Sequence, residues 1–306
     1  MMAYDMQRIG IVGAGLMGTG IAEVCALAGF DTVLVRATAG EPSAAAARIR
    51  ASMDARVKRG KLEADVVERA QSHLRVTGDR DALVDRDLVI ESIVEDLPTK
   101  RALFSSLSSR LAPHAVLATN TSTLRVSALA DNIRPRRTIG LHFFSPVPAM
   151  NLVELAYLAG TDPDVTPAAE RFVVQLGKTA VPVVDSSGFI VNRLLVPLLL
   201  HAIRAYEQAL APADQIDAAM RLGCGHPMGP LALADLIGLD VVYAMAKLLY
   251  TDFRDPCYRA PALLRRLVHQ GLLGKKTGRG FYDHTAKPAI PNPDVWELIC
   301  SGQLAA

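Results

Sequence analysis

A short apolar run, Arg8 to Val12, ends in the loop Gly13-Ala14-Gly15-Leu16-Met17-Gly18, and this feature constrains the fold more than any other in the 306 residues. Each glycine has its own physical task. Gly13 permits a tight turn off a strand, Gly15 lets the backbone approach a pyrophosphate, and Gly18 lets a helix pack closely on the sheet. Leu16 to Ala28 then has helical periodicity with Gly29 in the C-terminal cap position, and Asp31 to Val35 is a β-branched second strand. Strand, glycine turn, helix and strand within about thirty residues form a βαβ unit, which implies parallel strands and a right-handed crossover. The helix N-terminus offers phosphates its unpaired N–H groups and the positive end of its dipole. The unit is read as a dinucleotide-binding start, against the blander alternative of a glycine-rich turn that binds nothing.

Strand and helix go on alternating. Ser43 to Lys61, Glu63 to Ser72 and Asp96 to Leu111 read as helices. His73 to Val76, Asp87 to Ile90, Ala115 to Ala118 and Thr138 to Leu141 read as strands, with two more at Asn151 to Leu155 and Ala180 to Val184. That order predicts an α/β fold built on a doubly wound Rossmann-type sheet. After Ser186-Ser187-Gly188 the texture changes, and Phe189 to Leu273 has helical spacing almost throughout. The expected boundary lies near Asp185, separating a dinucleotide-binding domain over 1–185 from an all-helical domain over 186–306. Pro288, Pro291 and Pro293 mark 283–306 as a loosely ordered extension.

Composition mainly excludes. The 33 basic and 31 acidic residues nearly balance, which gives no reason to expect nucleic acid as a partner. Cys25, Cys224, Cys257 and Cys300 lack CxxC or metal-ligand spacing, so no metal is expected and they read as reduced thiols of a cytoplasmic protein. The most apolar run, Leu194 to Ile203, contains Pro197 and His201 and is too short to cross a bilayer. It reads as a buried helix, and no membrane association is expected.

Two positions carry the chemistry. Arg36 stands where NAD-binding folds usually place a carboxylate for the adenosine 2′-hydroxyl, and a guanidinium suits a 2′-phosphate instead. The expected cofactor is therefore NAD(P), with Arg36 tipping the choice toward NADP; a solvated arginine beside NAD is the plainer alternative. Hydride transfer from a secondary alcohol needs a base for the hydroxyl proton and donors for the oxygen. His142, in Gly140-Leu141-His142-Phe143-Phe144-Ser145-Pro146, lies at the carboxyl end of an expected strand, where open α/β sheets bind ligands. Glu154 on the next strand is placed to orient its ring. On these residues alone, a structural histidine stays an equal alternative.

Six ordered motifs weight that choice. They are Gly13 to Gly18, Asn120-Thr121-Ser122, His142 to Pro148, Gly188-Phe189-Ile190-Val191-Asn192-Arg193, His226-Pro227-Met228-Gly229-Pro230, and Gly274 to Tyr282. From about Arg8 to Tyr282 the chain resembles the 3-hydroxyacyl-CoA dehydrogenase family, especially its single-function bacterial 3-hydroxybutyryl-CoA type. The resemblance implies that His142 is the catalytic acid–base, Glu154 its orienting carboxylate, and Ser122 and Asn192 the groups holding the substrate's reacting oxygen and thioester end. It implies that Gly13, Gly15, Leu16, Met17 and Gly18 bind the dinucleotide, with Glu95 and Lys100 near the nicotinamide ribose. Ser52 and Arg59 match positions facing the CoA, and the helical domain is expected to form a homodimer. Ser122 is also compatible with a helix N-cap, and the basic Arg56 to Lys61 segment with a solvated helix face.

The chain departs from the family pattern at Ser145, Asn151 and Ser187, where Asn, Lys and Pro are usual, and at Arg36. The expected activity is interconversion of (S)-3-hydroxyacyl and 3-oxoacyl thioesters. Two alternatives stay open: the same chemistry on a carrier-protein-bound acyl group or a sugar acid, and a non-catalytic dinucleotide-binding protein.

Overall fold

The computed structural model describes residues 5–38, 40–131 and 133–301, and its contacts divide into two compact units meeting between Phe189 and Ile190. In the first unit, β1 (Arg8–Val12), α1 (Leu16–Leu27), β2 (Asp31–Val35), α2 (Pro42–Lys58), α3 (Ala64–Ser72) and β3 (Leu74–Thr77) build one half of a sheet. Next come β4 (Leu88–Glu91), α4 (Leu97–Ser108), β5 (Val116–Thr119), α5 (Val126–Ala130) and β6 (Thr138–Phe143). β7 (Leu152–Tyr157), α6 (Val165–Gln175) and β8 (Thr179–Val184) complete it. The strand order is β3-β2-β1-β4-β5-β6-β7-β8. The first six strands are all parallel, which is the doubly wound arrangement, and β7 then pairs antiparallel to β6.

Alternation along the strands explains why both faces carry helices. Ile9, Ile11, Leu34, Leu88, Ile90, Val116 and Ala118 join one core, with Ile21 of α1 and Phe172 of α6. Val12, Val33, Val35, Val89 and Leu117 join the other, with Phe104 and Leu107 of α4. A two-residue period that is apolar on both sides needs cover on both sides. The division after Phe189 differs from the boundary expected near Asp185, and packing supplies the reason. Phe189 lies in a cluster with Val126, Ala156 and Val183, while Asp185 accepts the Val126 and Ser127 N–H groups at 2.6 and 3.0 Å, at the start of α5.

The second unit contains α7 (Val191–Glu207), α8 (Ala213–Cys224), α9 (Pro230–Ile237), α10 (Leu239–Phe253) and α11 (Ala262–His269). Val196, Leu199, Leu200, Ile203 and Tyr206 form the buried stripe of α7, while Leu194 and His201 face outward, so the apolar run is one-sided. Pro197 leaves the Arg193 carbonyl without its helical donor, and the Tyr258 hydroxyl reaches it at 3.4 Å.

The expected loose extension over 283–306 is corrected. β9 (Tyr282–Asp283) pairs antiparallel with β10 (Ile290–Pro291), and α12 (Pro293–Cys300) packs Val295 and Ile299 into the helical core. Residues 302–306 of that expected extension lie outside the described residues. Asp235, fully buried, holds the segment by accepting the Phe281 and Tyr282 N–H groups at 3.0 and 2.9 Å and lying 3.0 Å from His284 Nε2. Asp217 accepts from the Leu231 and Ala232 N–H groups, at the N-terminus of α9, and from the Tyr282 hydroxyl. This accounts for two glycines of the last motifs. A Cβ at Gly280 would lie 2.1 Å from Asp235 Oδ1, and one at Gly229 2.2 Å from Asp217 Cβ.

Gly280→Ala is expected to destabilise the fold by about 1–3 kcal/mol, the usual cost of overpacking a filled site. Gly223→Ala, in α8 with nothing within 4 Å of its Cβ position, is expected to stabilise by about 0.5 kcal/mol. Thermal denaturation of the two variants should move in opposite directions.

Candidate active site

Because β1, β2, β4, β5 and β6 run parallel, the segments leaving their carboxyl ends gather along one edge of the sheet. The glycine loop follows β1, Arg36 follows β2, Glu95 follows β4, Ser122 follows β5, and His142 lies in the last turn of pleat of β6. Antiparallel β7 enters at that edge, and its register sets Glu154 directly opposite His142. His142 Nδ1 lies 2.7 Å from Glu154 Oε2, with both side chains buried. A carboxylate accepts only, so Nδ1 carries the proton between them, and in the neutral form of the ring Nε2 holds the lone pair. Phe144 and Phe189 flank the imidazole with ring centroids at 4.4 and 5.7 Å.

A second cluster orders the neighbouring loop. Glu95 Oε1 accepts from Thr121 Oγ1 at 2.5 Å, Ser122 N at 3.0 Å, Thr123 N at 3.1 Å and Thr123 Oγ1 at 3.0 Å. Lys100 is almost fully buried, with its ammonium 2.6 Å from Glu91 and 3.3 Å from Glu95. It thus holds carboxylates and is no open cation at the edge. Glu91 also accepts from Ile93 N and Thr119 Oγ1, each at 2.7 Å. Burial would raise the Glu95 carboxyl, but the Lys100 charge and the Thr121, Thr123 and Ser122 donors outweigh it and hold its pKa below the ordinary value. Asn120 Oδ1 accepts from the Phe143 N–H at 2.9 Å, which ties this loop to the strand bearing His142. Ser122 does not act as a helix N-cap, since α5 begins only at Val126.

The glycine loop fits a pyrophosphate. A Cβ at Gly18 would collide with the Gly13 carbonyl at 1.7 Å, and one at Gly13 with the Ser92 carbonyl at 2.3 Å, whereas Gly15 has nothing within 4 Å and faces open space. No side chain caps α1, Leu16 is exposed and Met17 half-buried, so the first N–H groups of the helix are available to an anion. Arg36 folds toward the following loop, its Nη1 3.4 Å from the Glu41 carbonyl.

Other expected positions are scattered or altered. Ser52 is half-buried on α2, but that helix ends at Lys58, so Arg59 is its C-cap and Gly60 a left-handed turn at φ +65°. Arg56 is no free phosphate ligand, for it pairs with buried Glu23 at 3.0 Å. Asn192 lies buried in the first turn of α7, in the second unit. Glu91, Thr119 and Lys178 escaped the sequence reading. Lys178, nearly buried, donates to the Val147 and Met150 carbonyls at 2.7 and 2.6 Å and so pins the turn between β6 and β7. The available signals were a carboxylate ending an apolar strand and a lysine beside a strand start.

A Rossmann-type sheet with an open phosphate loop and a histidine–carboxylate pair at its carboxyl edge defines a dinucleotide-dependent oxidoreductase. Comparisons with known proteins narrow this. Residues 8–186 match the model of the 3-hydroxyacyl-CoA dehydrogenase NAD-binding domain, and residues 188–284 that of the family's C-terminal domain. A 3-hydroxybutyryl-CoA dehydrogenase of Mycobacterium tuberculosis is 44% identical over 92% of this chain and all of its own. The crystal structure of (S)-3-hydroxybutyryl-CoA dehydrogenase from Ralstonia eutropha superposes with a TM-score of 0.88 at 39% identity, covering 92% of this chain and 99% of that one. A 3-hydroxyadipyl-CoA dehydrogenase of Escherichia coli is 41% identical over 94% of this chain and 61% of its own. The chain belongs to the 3-hydroxyacyl-CoA dehydrogenase family.

The lowered Glu95 pKa has a signed consequence. A group depressed in the folded state contributes stability above its unfolded pKa, and that contribution is lost as pH falls through the folded value. Melting temperature should therefore fall as the medium is acidified below the ordinary glutamate range. Glu95→Gln should be less stable at neutral pH and show a shallower acid decline, which differential scanning fluorimetry across pH can check.

Proposed function

We propose that this chain interconverts (S)-3-hydroxyacyl-CoA and 3-oxoacyl-CoA, with short acyl chains of the 3-hydroxybutyryl kind, using a nicotinamide cofactor. The observation that carries the proposal is the buried His142–Glu154 pair on the same sheet edge as the phosphate loop. With Nδ1–H donated to Glu154, His142 Nε2 takes the proton of the 3-hydroxyl during oxidation and returns it during reduction. Glu154 holds the tautomer and stabilises the imidazolium that forms. Ser122 and Asn192 are assigned as donors to the reacting oxygen and thioester end. Glu95, through its grip on the Ser122 loop, sets that donor's position, and with Lys100 it is assigned to the ribose side of the cofactor site. A bound nicotinamide supplies the acceptor for the hydrogen leaving C3 with its electron pair. Ser52 and Arg59 are assigned to the CoA, the working form to a homodimer, and the setting to the cytoplasm.

Arg36, at the end of β2, supports NADP(H) over NAD(H), since its guanidinium can pair with a 2′-phosphate. Asn151 and Ser145, polar uncharged residues on the segment between β6 and β7, leave room for a second reading of the substrate, the same chemistry on a carrier-protein-bound acyl group or a sugar acid.

Reduction of acetoacetyl-CoA and longer 3-oxoacyl-CoAs, each with NADH and NADPH, tests the assignment. His142→Ala should lower kcat by about 10²–10⁴ with the fold intact, and near-normal turnover in a folded variant would refute the role. Arg36→Ala should reduce the preference for NADPH. Strong NADH use unaffected by that change overturns the NADP assignment, and cofactor binding without consumption of any 3-oxoacyl thioester overturns the enzyme.

A further inference from the structure

We infer that Arg48 is a phosphate-binding residue of the dinucleotide site and acts on the pyrophosphate that NADH and NADPH share. The inference rests on the cofactor use proposed above. The first turn of α1 carries no acidic or basic residue, so an anion there meets backbone N–H groups and the helix dipole alone. One carbonyl of the same loop, Ala14, opposes an anion with its lone pairs. The Arg48 side chain, reaching across from α2, donates from Nη2 to that carbonyl at 2.5 Å. A full positive charge is thereby set against a phosphate loop that has none of its own.

Its neighbours on α2 have a different use. Arg50 pairs with Asp54 and Glu68 at 2.9 and 2.8 Å, and Arg56 with Glu23 at 3.0 Å. Among the described residues, no carboxylate lies within ion-pair distance of Arg48. Guanidinium carries five N–H donors, and the bond to Ala14 uses one. The remaining donors and the unbalanced charge suit a doubly anionic group seated at Gly15. Arg48 also differs from Arg36, whose guanidinium lies against Glu41 beyond the second strand, on the side of the 2′-substituent. Ser52 is one helical turn further along α2, so phosphate from CoA is the competing source, and the test separates the two.

Cofactor binding is measured directly, by fluorescence titration of NADH and NADPH into wild type, Arg48→Ala, Arg48→Lys and Arg36→Ala. Arg48→Ala should raise the Kd for both cofactors equally, roughly tenfold or more, as expected for a charge-assisted hydrogen bond. Arg48→Lys should keep much of the affinity, and Arg36→Ala should raise the Kd for NADPH alone. Competition with ADP should weaken in Arg48→Ala while competition with adenosine does not change. Loss of the charge should also flatten the salt dependence of Kd, which a purely structural clasp on Ala14 would not do. An unchanged Kd for both cofactors overturns the inference. So does an effect confined to the KM for acetoacetyl-CoA, which would assign the guanidinium to the thioester. Should the alanine variant prove unstable, Arg48→Gln keeps the stem of the side chain and is expected to match alanine in affinity. Loss of thioester reduction with intact cofactor binding would instead fail the proposed reaction and leave this inference standing.

Discussion

The hydrogen bond between Glu154 and His142 is the interaction on which the site depends, because a carboxylate 1% exposed within a sheet needs a donor close at hand. The antiparallel register of β6 and β7 supplies that donor directly across the ladder. Leu141, Phe143, Val153 and Leu155 all enter one core, which leaves His142 and Glu154 together on the opposite face. A slip of one residue would bury the wrong set and separate the pair, so the packing that stabilises the sheet also specifies the geometry of the candidate site. Lys178 strengthens that specification by gripping two carbonyls of the connecting turn.

The same logic recurs at the ends of β4 and β5. The Lys100 ammonium bridges two carboxylates, 2.6 Å from Glu91 and 3.3 Å from Glu95. With that charge in place, Glu95 can order the Thr121 to Thr123 backbone and hydroxyls, and Asn120 links the ordered loop to the strand of His142. The Ser122 backbone is thus held by a carboxylate that is itself paired with a buried lysine.

Much of this was legible in the sequence for identifiable reasons. The glycine loop and the apolar runs encode local geometry, and all eight sheet strands fall where their alternation predicted, within a residue or two at most ends. His142 and Glu154 could be paired because they lie on consecutive strands. The limits came from long-range contacts, which leave no local pattern. Lys100 looks like an available cation until Glu91 is seen beside it, and Arg56 looks like one until Glu23 is. Three prolines suggested a loose C-terminal segment, whereas Asp235 and the α12 side chains secure it. The mid-helix end at Lys58 was hidden by the continuing run of basic residues, and only Gly60 marked it.

Asp235 carries one more consequence, for the order in which the chain is made. Its partners lie at Phe281, Tyr282 and His284, so α9 is synthesised with a carboxylate, Asp235, whose donors do not yet exist, whereas Asp217 already has the Leu231 and Ala232 N–H groups and waits only for the Tyr282 hydroxyl. The first unit, closed at Phe189, can fold while the remainder is still being translated. The helical unit completes its core only after these residues are made, and a stop before Phe281 would leave the buried Asp235 carboxylate without its donors.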